Sequence, residues 1–221
     1  MLSIRLVSLA KYVKYNDKVI DIGCDHALLD IYLIKNNVIK SMIVSDVKET
    51  ALEQGIHNIE KEGLTSRIDA RCGNGLEVLT KKDNVDTIII SGMGTSTILE
   101  ILSSPKLAKI NKLIIQSNND HTLLREGVLK LGFYITNEEY FVDNDKNYIN
   151  IVFERGKSKK LTKNELRYGP ILIKNRNYLK FELSNCEKIY NLIPKNKLKI
   201  RLELKSEMRL LNKLIDDCDR V

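Results

Sequence analysis

The stretch Val19-Ile-Asp-Ile-Gly-Cys-Asp-His26 decides the fold of this chain. It opens with a nearly continuous apolar run, which is typical of a strand buried on both faces of a parallel sheet. Gly23 follows where such a strand must turn sharply into a helix, and its missing side chain lets a ligand approach the backbone. The stretch therefore predicts the first strand and the first ligand-facing turn of an open α/β sheet.

The alternation of a short apolar strand with a longer helix continues downstream. Parallel strands are predicted over residues 18–22, 41–45, 67–71, 87–91 and 112–116. Helices with one apolar face are predicted over residues 28–34, 49–61, 96–102 and 121–131. Strands 133–138 and 148–153 then follow without a helix between them, which predicts an antiparallel hairpin around the polar turn 143–146.

This order of elements predicts an α/β fold with a doubly wound, mostly parallel sheet. Five parallel strands followed by a closing antiparallel hairpin is, by analogy, the strand sequence of a class I (Rossmann-like) methyltransferase. The analogy supplies the fold family, whereas the periodicity supplies only the strands and helices.

Positive charge is concentrated in the last third of the 221 residues. Residues 1–154 have a net charge of −3, whereas residues 155–221 carry 18 Lys and Arg against 8 Asp and Glu, a net charge of +10. The basic stretch 155–160 predicts a linker, and two helices are predicted over 171–192 and 197–217, with Pro194 between them. We therefore expect a domain at 1–155 and a small antiparallel, coiled-coil-like helical domain at 161–221.

The charge of this tail favours a polyanionic partner that presents phosphates. A solvated lysine-rich helix face and an anionic lipid surface remain the alternatives. No apolar run has the length of a membrane span, and early lysines argue against a signal peptide. Four widely spaced cysteines without a CxxC pair, and only three histidines, predict no metal site and a cytoplasmic protein.

Small and acidic residues surround the carboxyl ends of the first two strands. Asp21, Gly23 and Asp25 lie at the first turn, which lacks the further glycines of the dinucleotide fingerprint G-x-G-x-x-G. A carboxylate at position 25 repels a pyrophosphate, whereas S-adenosylmethionine has no phosphate and carries a sulfonium and an ammonium cation. Asp46 lies 23 residues after Gly23, the spacing of an acid that binds a ribose diol. The pattern favours S-adenosylmethionine over NAD, although an ordinary strand-to-helix turn is also consistent with it.

Glycine-containing turns also follow the third and fourth strands. The amide of Asn74, before Gly75, is suited to pairing with the adenine of a cofactor, and Ser91-Gly-Met-Gly94 predicts close approach of the backbone to a ligand. Ligands of open α/β sheets bind at the carboxyl ends of the strands, so the four turns support one another. Each turn alone is also explained by ordinary turn chemistry.

Over nearly its whole length the chain resembles the TrmK-type tRNA (adenine-22 N1)-methyltransferases. The motifs that carry the resemblance are, in chain order, Leu2-Ser-x-Arg5-Leu6, Asp21-Ile-Gly-x-Asp25-His26-Ala27-x-Leu29, Asn74-Gly-Leu76, Gly92-Met-Gly94, Leu113-Ile-x-Gln116-x-Asn118, Leu124-Arg125, Tyr148 and Gly169-Pro170. The aspartate-histidine pair and the Gly-Met-Gly turn are the specific motifs, and the others are common to the superfamily.

Three positions depart from the pattern of that family. Asn74 stands where the family usually has aspartate, Thr95 where it has glycine, and Ser117 where it has proline. Asparagine can still accept a hydrogen bond from the adenine amino group. Loss of the proline predicts a less rigid loop before Asn118.

The resemblance implies S-adenosyl-L-methionine as the methyl donor, tRNA as the partner and adenine N1 as the acceptor. Because the N1 lone pair attacks the methyl group directly, the protein needs no covalent nucleophile; it must align donor and acceptor. Asp25 is the candidate for stabilising the cationic product or accepting an N6 proton, and Asn118 for holding the base edge. His26 is interpreted as a structural partner of the turn, with a role as an acid or base as the alternative.

The remaining site expectations form two groups. The residues expected to bind the cofactor are Asp21, Gly23, His26, Asp46, Asn74, Gly75, Ser91, Gly92 and Met93. The cations expected to bind RNA are Arg5, Arg125, Lys160, Lys163, Arg167, Lys174 and Arg176. We expect a monomer without a membrane partner. A methyltransferase of proteins or small molecules, a catalytically degenerate RNA-binding scaffold and a dinucleotide oxidoreductase are the competing functions.

Overall fold

The computed structural model describes residues 2–157 and 159–218. The chain divides into two compact units, Met1–Lys159 and Lys160–Val221. This division falls inside the predicted linker, 155–160.

The first unit contains a seven-stranded sheet in the order β3-β2-β1-β4-β5-β7-β6. Its strands are β1 (Val19–Ile22), β2 (Met42–Asp46), β3 (Ile68–Cys72), β4 (Thr87–Met93), β5 (Lys112–Ser117), β6 (Phe133–Asp143) and β7 (Lys146–Arg155). Strands β1 to β5 pair in parallel, whereas β7 pairs antiparallel with both β5 and β6. The predicted class I methyltransferase sheet with its closing hairpin is therefore confirmed.

The helices of the first unit connect these strands. They are α1 (Ile4–Ala10), α2 (Leu28–Lys35), α3 (Glu49–Lys61), α4 (Thr95–Leu102) and α5 (His121–Lys130), with 3-10 turns at Gly75–Val78 and Pro105–Lys109. Helices α1 to α3 bury apolar residues in one cluster with β1, β2 and β3. The crossovers from β1 to β3 and from β4 to β5 run in opposite directions along the sheet, so right-handed connections place their helices on opposite faces.

Helix α1 was not predicted, because its seven residues are too short for a clear helical period. Ser3 caps it, with its hydroxyl oxygen accepting a hydrogen bond from the Leu6 amide at 3.4 Å. The backbone amide of Arg5 donates to Asp143 Oδ2 at 3.0 Å, and Asn150 Nδ2 donates to the Ser8 hydroxyl at 2.8 Å. These bonds fasten α1 to the closing hairpin and bring Arg5 to the carboxyl end of the sheet.

The closing hairpin is longer than predicted, since β6 and β7 pair up to Asp143 and Lys146. Only Asn144 and Asp145 form the turn, and their φ angles of 49° and 60° are both left-handed. Two consecutive left-handed residues are the geometry of the hairpin turn that matches the twist of the strands, and Asn and Asp tolerate it.

The second unit consists of helices joined by short connections. They are α6 (Lys163–Tyr168), a 3-10 turn (Leu172–Lys174), α7 (Arg176–Leu192) and α8 (Leu198–Cys218). The guanidinium of Arg201 donates hydrogen bonds to the carbonyls of Tyr190 and Ile193 at 3.0 and 2.6 Å. The first turn of α8 therefore lies beside the last turn of α7, so the two helices are antiparallel.

The predicted tail helix over 171–192 begins too early. The Asn175 side chain accepts a hydrogen bond from the Tyr178 amide at 3.0 Å and caps α7, so the helix starts at Arg176. Helix α6 was missed; it begins at a capping box in which Thr162 and Glu165 bond each other's backbone amides.

Within residues 2–157 and 159–218, no helix is long and apolar enough to cross a membrane. The four cysteines are free thiols. The described part of the chain has no cluster of three His, Cys, Asp or Glu side chains that could bind a metal ion.

Candidate active site

A cleft of about 840 Å³ opens at the carboxyl ends of β1, β2 and β4. Ligand pockets of proteins usually have volumes of about 300–1,000 Å³. The predicted site residues that line the cleft are Arg5, Asp21, Gly23, Asp25, His26, Asp46, Ser91, Gly92 and Met93. The topology therefore brings together the turns after β1, β2 and β4, as expected for the point where the strand order reverses.

The turn after β1 is held in an unusual backbone conformation. Gly23 has a φ of +78°, and Asp25 and Ala27 have φ angles of 50° and 54°. The amides of Gly23 and Cys24 both donate to the Ser45 carbonyl on β2, at 2.7 and 3.1 Å. Left-handed conformations cost energy for residues with a Cβ, so this turn is held by its surroundings.

The turn that leads from β1 into α2 is also fastened to α3. The side chain of Asn58 donates to the carbonyl of His26 at 3.0 Å. A Cβ at Gly55 of α3 would lie 2.9 Å from the Asp25 carbonyl, which explains a glycine inside that helix. Close packing of α3 on the turn therefore sets the direction of the backbone between residues 25 and 27.

Asp25 and His26 present their side chains to the open cleft. Their side chains are 69% and 53% exposed, and His26 Nε2 lies 3.7 Å from Asp25 Oδ1. Both groups are free to contact a bound molecule. A charged carboxylate at this position suits a cation and disfavours a phosphate.

Two further carboxyl groups lie below the turn. Asp21 on β1 and Asp30 on α2 are buried and within hydrogen-bonding reach of each other. Burial raises the pKa of Asp21 to about 7, while the nearby Arg5 charge lowers it and Asp46 raises it. Burial, with the charge of Asp21, also raises the pKa of Asp30 well above its ordinary value. Asp30 was not singled out by sequence, although a lone carboxylate in the apolar run of α2 is a visible signal.

The end of β2 supplies the third acidic group of the cleft. Asp46 is half-buried, and its Oδ1 accepts a hydrogen bond from the Lys48 amide at 2.8 Å. Val47, whose residue exposure is 65%, and Lys48 line the cleft beside it and were missed by sequence reasoning. An exposed apolar side chain next to the expected ribose acid offers a surface for a base.

The Gly-Met-Gly turn after β4 is tied to the turn after β5. Asn118 Nδ2 donates to the Gly92 carbonyl at 2.7 Å, and its amide donates to the Met93 carbonyl at 2.9 Å. Asn118 is exposed but does not line the cleft. The side chain and the backbone N–H of Asn118 therefore hold the Gly92–Met93 wall of the cleft in place from outside the cleft.

Arg5 also belongs to the cleft wall. Its Nη1 donates to Gln116 Oε1 at 3.3 Å, and Gln116 Nε2 donates to Asn150 Oδ1 at 2.6 Å. Arg5 lines the cleft together with the carboxylates, and its charge acts on Asp21. The predicted RNA contact of Arg5 thus falls in the site itself, within the first unit.

Asn74 and Gly75 lie outside the main cleft. They line a neighbouring cavity of about 290 Å³ together with Glu100, Ile101 and Pro105. The chain turns away after β3, where the Gly73 amide bonds the Asp46 carbonyl at 3.0 Å. Asn74 lines this second cavity and does not line the main cleft, so its pairing with adenine stays a prediction.

The prediction that Arg125 contacts RNA is wrong. Its side chain is fully buried, and its Nε donates to Glu138 Oε1 of β6 at 2.7 Å. A guanidinium enclosed in the protein cannot reach a phosphate. Its role is to join α5 to the closing hairpin.

The predicted cations of the tail lie on the surface of the second unit. Arg167 also forms an ion pair with Glu207, with 3.0 Å between Nε and Oε1. The predicted RNA contacts of this unit that are exposed are Lys160, Lys163, Arg167, Lys174 and Arg176.

The cleft fits S-adenosylmethionine by its chemistry. Oδ1 of Asp21 is buried and accepts no hydrogen bond from the described residues, and Asp25 and Asp46 add two further carboxyl groups. This donor set attracts a cation and repels a pyrophosphate.

Comparison with known proteins agrees with this geometry. Residues 19–214 match the sequence profile of the TrmK family, described as tRNA (adenine(22)-N(1))-methyltransferase. The tRNA (adenine(22)-N(1))-methyltransferase of Bacillus subtilis is 33% identical, over 97% of each chain. The structure of Mycoplasma capricolum TrmK with S-adenosyl-homocysteine is 37% identical, with a TM-score of 0.84 over 98% of each chain.

A Streptococcus pneumoniae structure in complex with S-adenosyl-L-methionine is also similar. It is 32% identical, has a TM-score of 0.89 and is matched over 97% of this chain and 100% of that chain.

Proposed function

The chain belongs to the tRNA (adenine(22)-N(1))-methyltransferase family, and from that premise we propose which of its residues bind the cofactor, align the base and hold the tRNA. It is an S-adenosylmethionine-dependent methyltransferase of N1 of adenine in tRNA. The observation that carries the residue assignments is the cleft lined by Asp21, Asp25 and Asp46 at the strand carboxyl ends.

S-adenosylmethionine supplies an electrophilic methyl group on a cationic sulfur. Asp46 holds the ribose hydroxyls, since its Oδ2 is not used in the bond to the Lys48 amide. Gly23, Ser91, Gly92 and Met93 form the backbone floor against which the cofactor lies. Asp21 faces the cationic methionine portion from below the turn.

Asp25 and Asn118 act on the target base. Asp25 is open to the cleft, and its carboxylate stabilises the positive charge that adenine gains on N1 methylation. Asn118 keeps the Gly92–Met93 wall in place through two hydrogen bonds and retains its carbonyl oxygen for the amino group of the base. The main contribution of the protein is alignment of donor and acceptor.

The basic tail holds the tRNA through its phosphates. Lys160, Lys163, Lys174 and Arg176 are exposed in a segment with a net charge of +10. Contacts of this kind position a nucleic acid and weaken steeply as salt rises. The adenine must leave its stack to reach the cleft.

The chain acts as a monomer in the cytoplasm under this proposal. Four free thiols without a disulfide suit a reducing compartment. Light scattering of the purified protein across a range of concentrations tests the monomer, and a stable dimer mass would refute it.

Methylation of a defined transcript tests the function. The full chain, S-adenosylmethionine and a tRNA with adenine at position 22 should yield N1-methyladenosine at that position, read by mass spectrometry of nuclease fragments. The same transcript with guanine at position 22 is the matched control and should stay unmodified. Methylation elsewhere would refute the target base, and cofactor binding without any methylation would favour an RNA-binding scaffold.

A further inference from the structure

Two carboxylic acids lie together under the cleft in an environment that does not solvate them. Asp21 and Asp30 have residue exposures of 4% and 0%. Oδ1 of Asp21 and both side-chain oxygens of Asp30 receive no hydrogen bond from any donor in residues 2–157 and 159–218. An isolated buried carboxylate is strongly disfavoured, so the pair is stable only when it shares at least one proton.

The charged and titratable groups around the pair come from three directions. Arg5 of α1 favours the anionic form of Asp21, and Asp46 at the end of β2 disfavours it. The Cys24 thiol of the turn stays protonated, because burial and the carboxylates of Asp30, Asp21 and Asp46 raise its pKa. At the open side of the cleft, Asp25 and His26 are exposed to solvent.

One of the two acids reaches the cleft and the other does not. Asp21 lines the cleft, whereas Asp30 is enclosed behind it on α2. Asp30 keeps its proton more firmly, because it is fully enclosed, and burial together with the charge of Asp21 raises its pKa. The pKa of Asp21 is also raised by burial, but the hydrogen bond to Asp30 and the charge of Arg5, which lines the cleft with it, lower it. Near neutral pH, Asp30 is therefore the donor and Asp21 the acceptor whenever the pair carries one proton.

We propose that Asp30 is a positioning residue that donates one hydrogen bond to Asp21, and that entry of the cofactor's cationic methionine portion expels the second proton of the pair to solvent. In the doubly protonated pair, the Asp21 O–H bond breaks and its proton leaves to buffer. The electron pair stays on Asp21 as the anion that faces the cation, and Asp30 retains its own proton. The inference rests on the proposed function, because it requires this cofactor in this cleft.

Isothermal titration calorimetry of the full chain measures the expelled proton directly. S-adenosyl-homocysteine and S-adenosylmethionine are titrated at pH 6.5 in phosphate and in an amine buffer, whose ionisation enthalpies differ. A group with a pKa near 7 is mostly protonated at pH 6.5, so release of about 0.5–1 proton per cofactor is expected. Equal release by both ligands assigns the effect to the ammonium group, and release by S-adenosylmethionine alone assigns it to the sulfonium.

Two substitutions at one position separate positioning from packing. Asp30→Asn keeps a donor to Asp21 and should bind the cofactor with nearly wild-type affinity. Asp30→Leu has the same branched shape with somewhat larger volume and no donor, and it should bind roughly 10- to 100-fold more weakly at pH 7, the usual effect of losing a hydrogen bond to a charged group. The loss should shrink as pH rises, because Asp21 then ionises without help.

Controls identify the source of the proton. His26 lines the cleft, so His26→Gln is compared with wild type as protons released per bound cofactor, a ratio that should be retained whatever the affinity. Asp21→Asn should abolish the release. Far-ultraviolet circular dichroism and thermal unfolding establish that each variant is folded. Wild-type binding without proton release, or equal affinity of Asp30→Asn and Asp30→Leu, would overturn the inference. Absence of cofactor binding by the wild type would instead overturn the proposed function.

Discussion

Thr95 and Ser117, two of the three departures from the family pattern, touch each other. Their hydroxyl oxygens lie 2.8 Å apart, and Thr95 Oγ1 donates to the Asn119 carbonyl at 2.6 Å. The loss of proline at position 117 predicted a less rigid loop before Asn118. The structure instead fastens that loop to the start of α4 by side-chain hydrogen bonds, so two changes that look separate in sequence form one contact.

Asp25 carries the first prediction at the residue scale. Asp25→Asn keeps the size and tolerates the left-handed φ of 50°, but it removes the negative charge. We expect kcat for tRNA methylation to fall about 10²–10³-fold, because the cationic product loses its stabilising charge. Asp25→Ala should fall at least as far with the fold intact. Cofactor affinity, measured by calorimetry, is the control, and near-normal turnover of Asp25→Asn would show that the role is misassigned.

Gly23 carries the second prediction, with Gly63 as its matched control. Both have positive φ angles, +78° and +68°, but a Cβ at Gly63 meets no atom within 4 Å. Alanine at either position should cost about 1–2 kcal/mol of unfolding free energy for the left-handed backbone. At Gly23 the new Cβ would also overlap Cε of Met93, so that side chain must move as well. Only Gly23→Ala should also weaken cofactor binding, because it lines the cleft. Equal cofactor affinity of the two variants would remove the Gly23 turn from the site.

Asp30 carries a prediction about stability and pH. Its pKa in the folded protein lies well above the ordinary value of 3.8, so the folded state holds a proton that the unfolded state loses. The stability that this group contributes is therefore present below about pH 4 and is lost as pH rises toward the folded pKa.

Asp30→Asn removes this dependence. Relative to wild type, its free energy of unfolding should rise by up to about 1.4 kcal/mol per pH unit above pH 4. Urea unfolding at pH 4, 5, 6 and 7 measures the difference, and a constant difference would mean that Asp30 ionises normally when folded.

Between elements, the ion pair of Arg125 and Glu138 joins α5 to β6. Both side chains are fully buried. Arg125→Met leaves a buried carboxylate without its guanidinium and should lower the unfolding free energy by about 3–5 kcal/mol. The double variant Arg125→Met, Glu138→Leu should recover most of that loss, because no charge is then left buried.

The same pair tests the corrected role of Arg125. The folded double variant should bind tRNA with wild-type affinity in a filter-binding assay at fixed salt. A specific loss of tRNA affinity with stability restored would return Arg125 to the RNA-binding surface.

For the whole molecule, we expect cofactor binding and RNA binding to respond to different parts of the chain. Replacing the exposed Lys163, Lys174 and Arg176 by glutamine should weaken tRNA binding and reduce its salt slope by about one for each phosphate that is no longer neutralised. Cofactor affinity should stay unchanged. Removal of residues 160–221 should weaken tRNA binding still further and should affect cofactor binding much less. Equal loss of both affinities would refute it.

The sequence by itself determined the parallel strands, the closing hairpin, the glycine turn at Gly23 and the basic tail. These features are local: apolar periodicity, turn residues and charge are properties of neighbouring positions. Where local signals were weak or competing, prediction failed, as with the short α1 and the start of α7 at the Asn175 cap.

Only the tertiary structure decided which polar side chains are buried and with what. From the sequence, Arg125 is predicted to be a surface cation. In the structure its side chain is buried, because its partner Glu138 comes from another element. From the sequence, Asp30 is an ordinary carboxylate of a helix. In the structure it is buried beside Asp21 of β1, which raises its pKa and favours its protonated form. Burial and pairing depend on how distant elements pack, and no window of neighbouring residues contains that information.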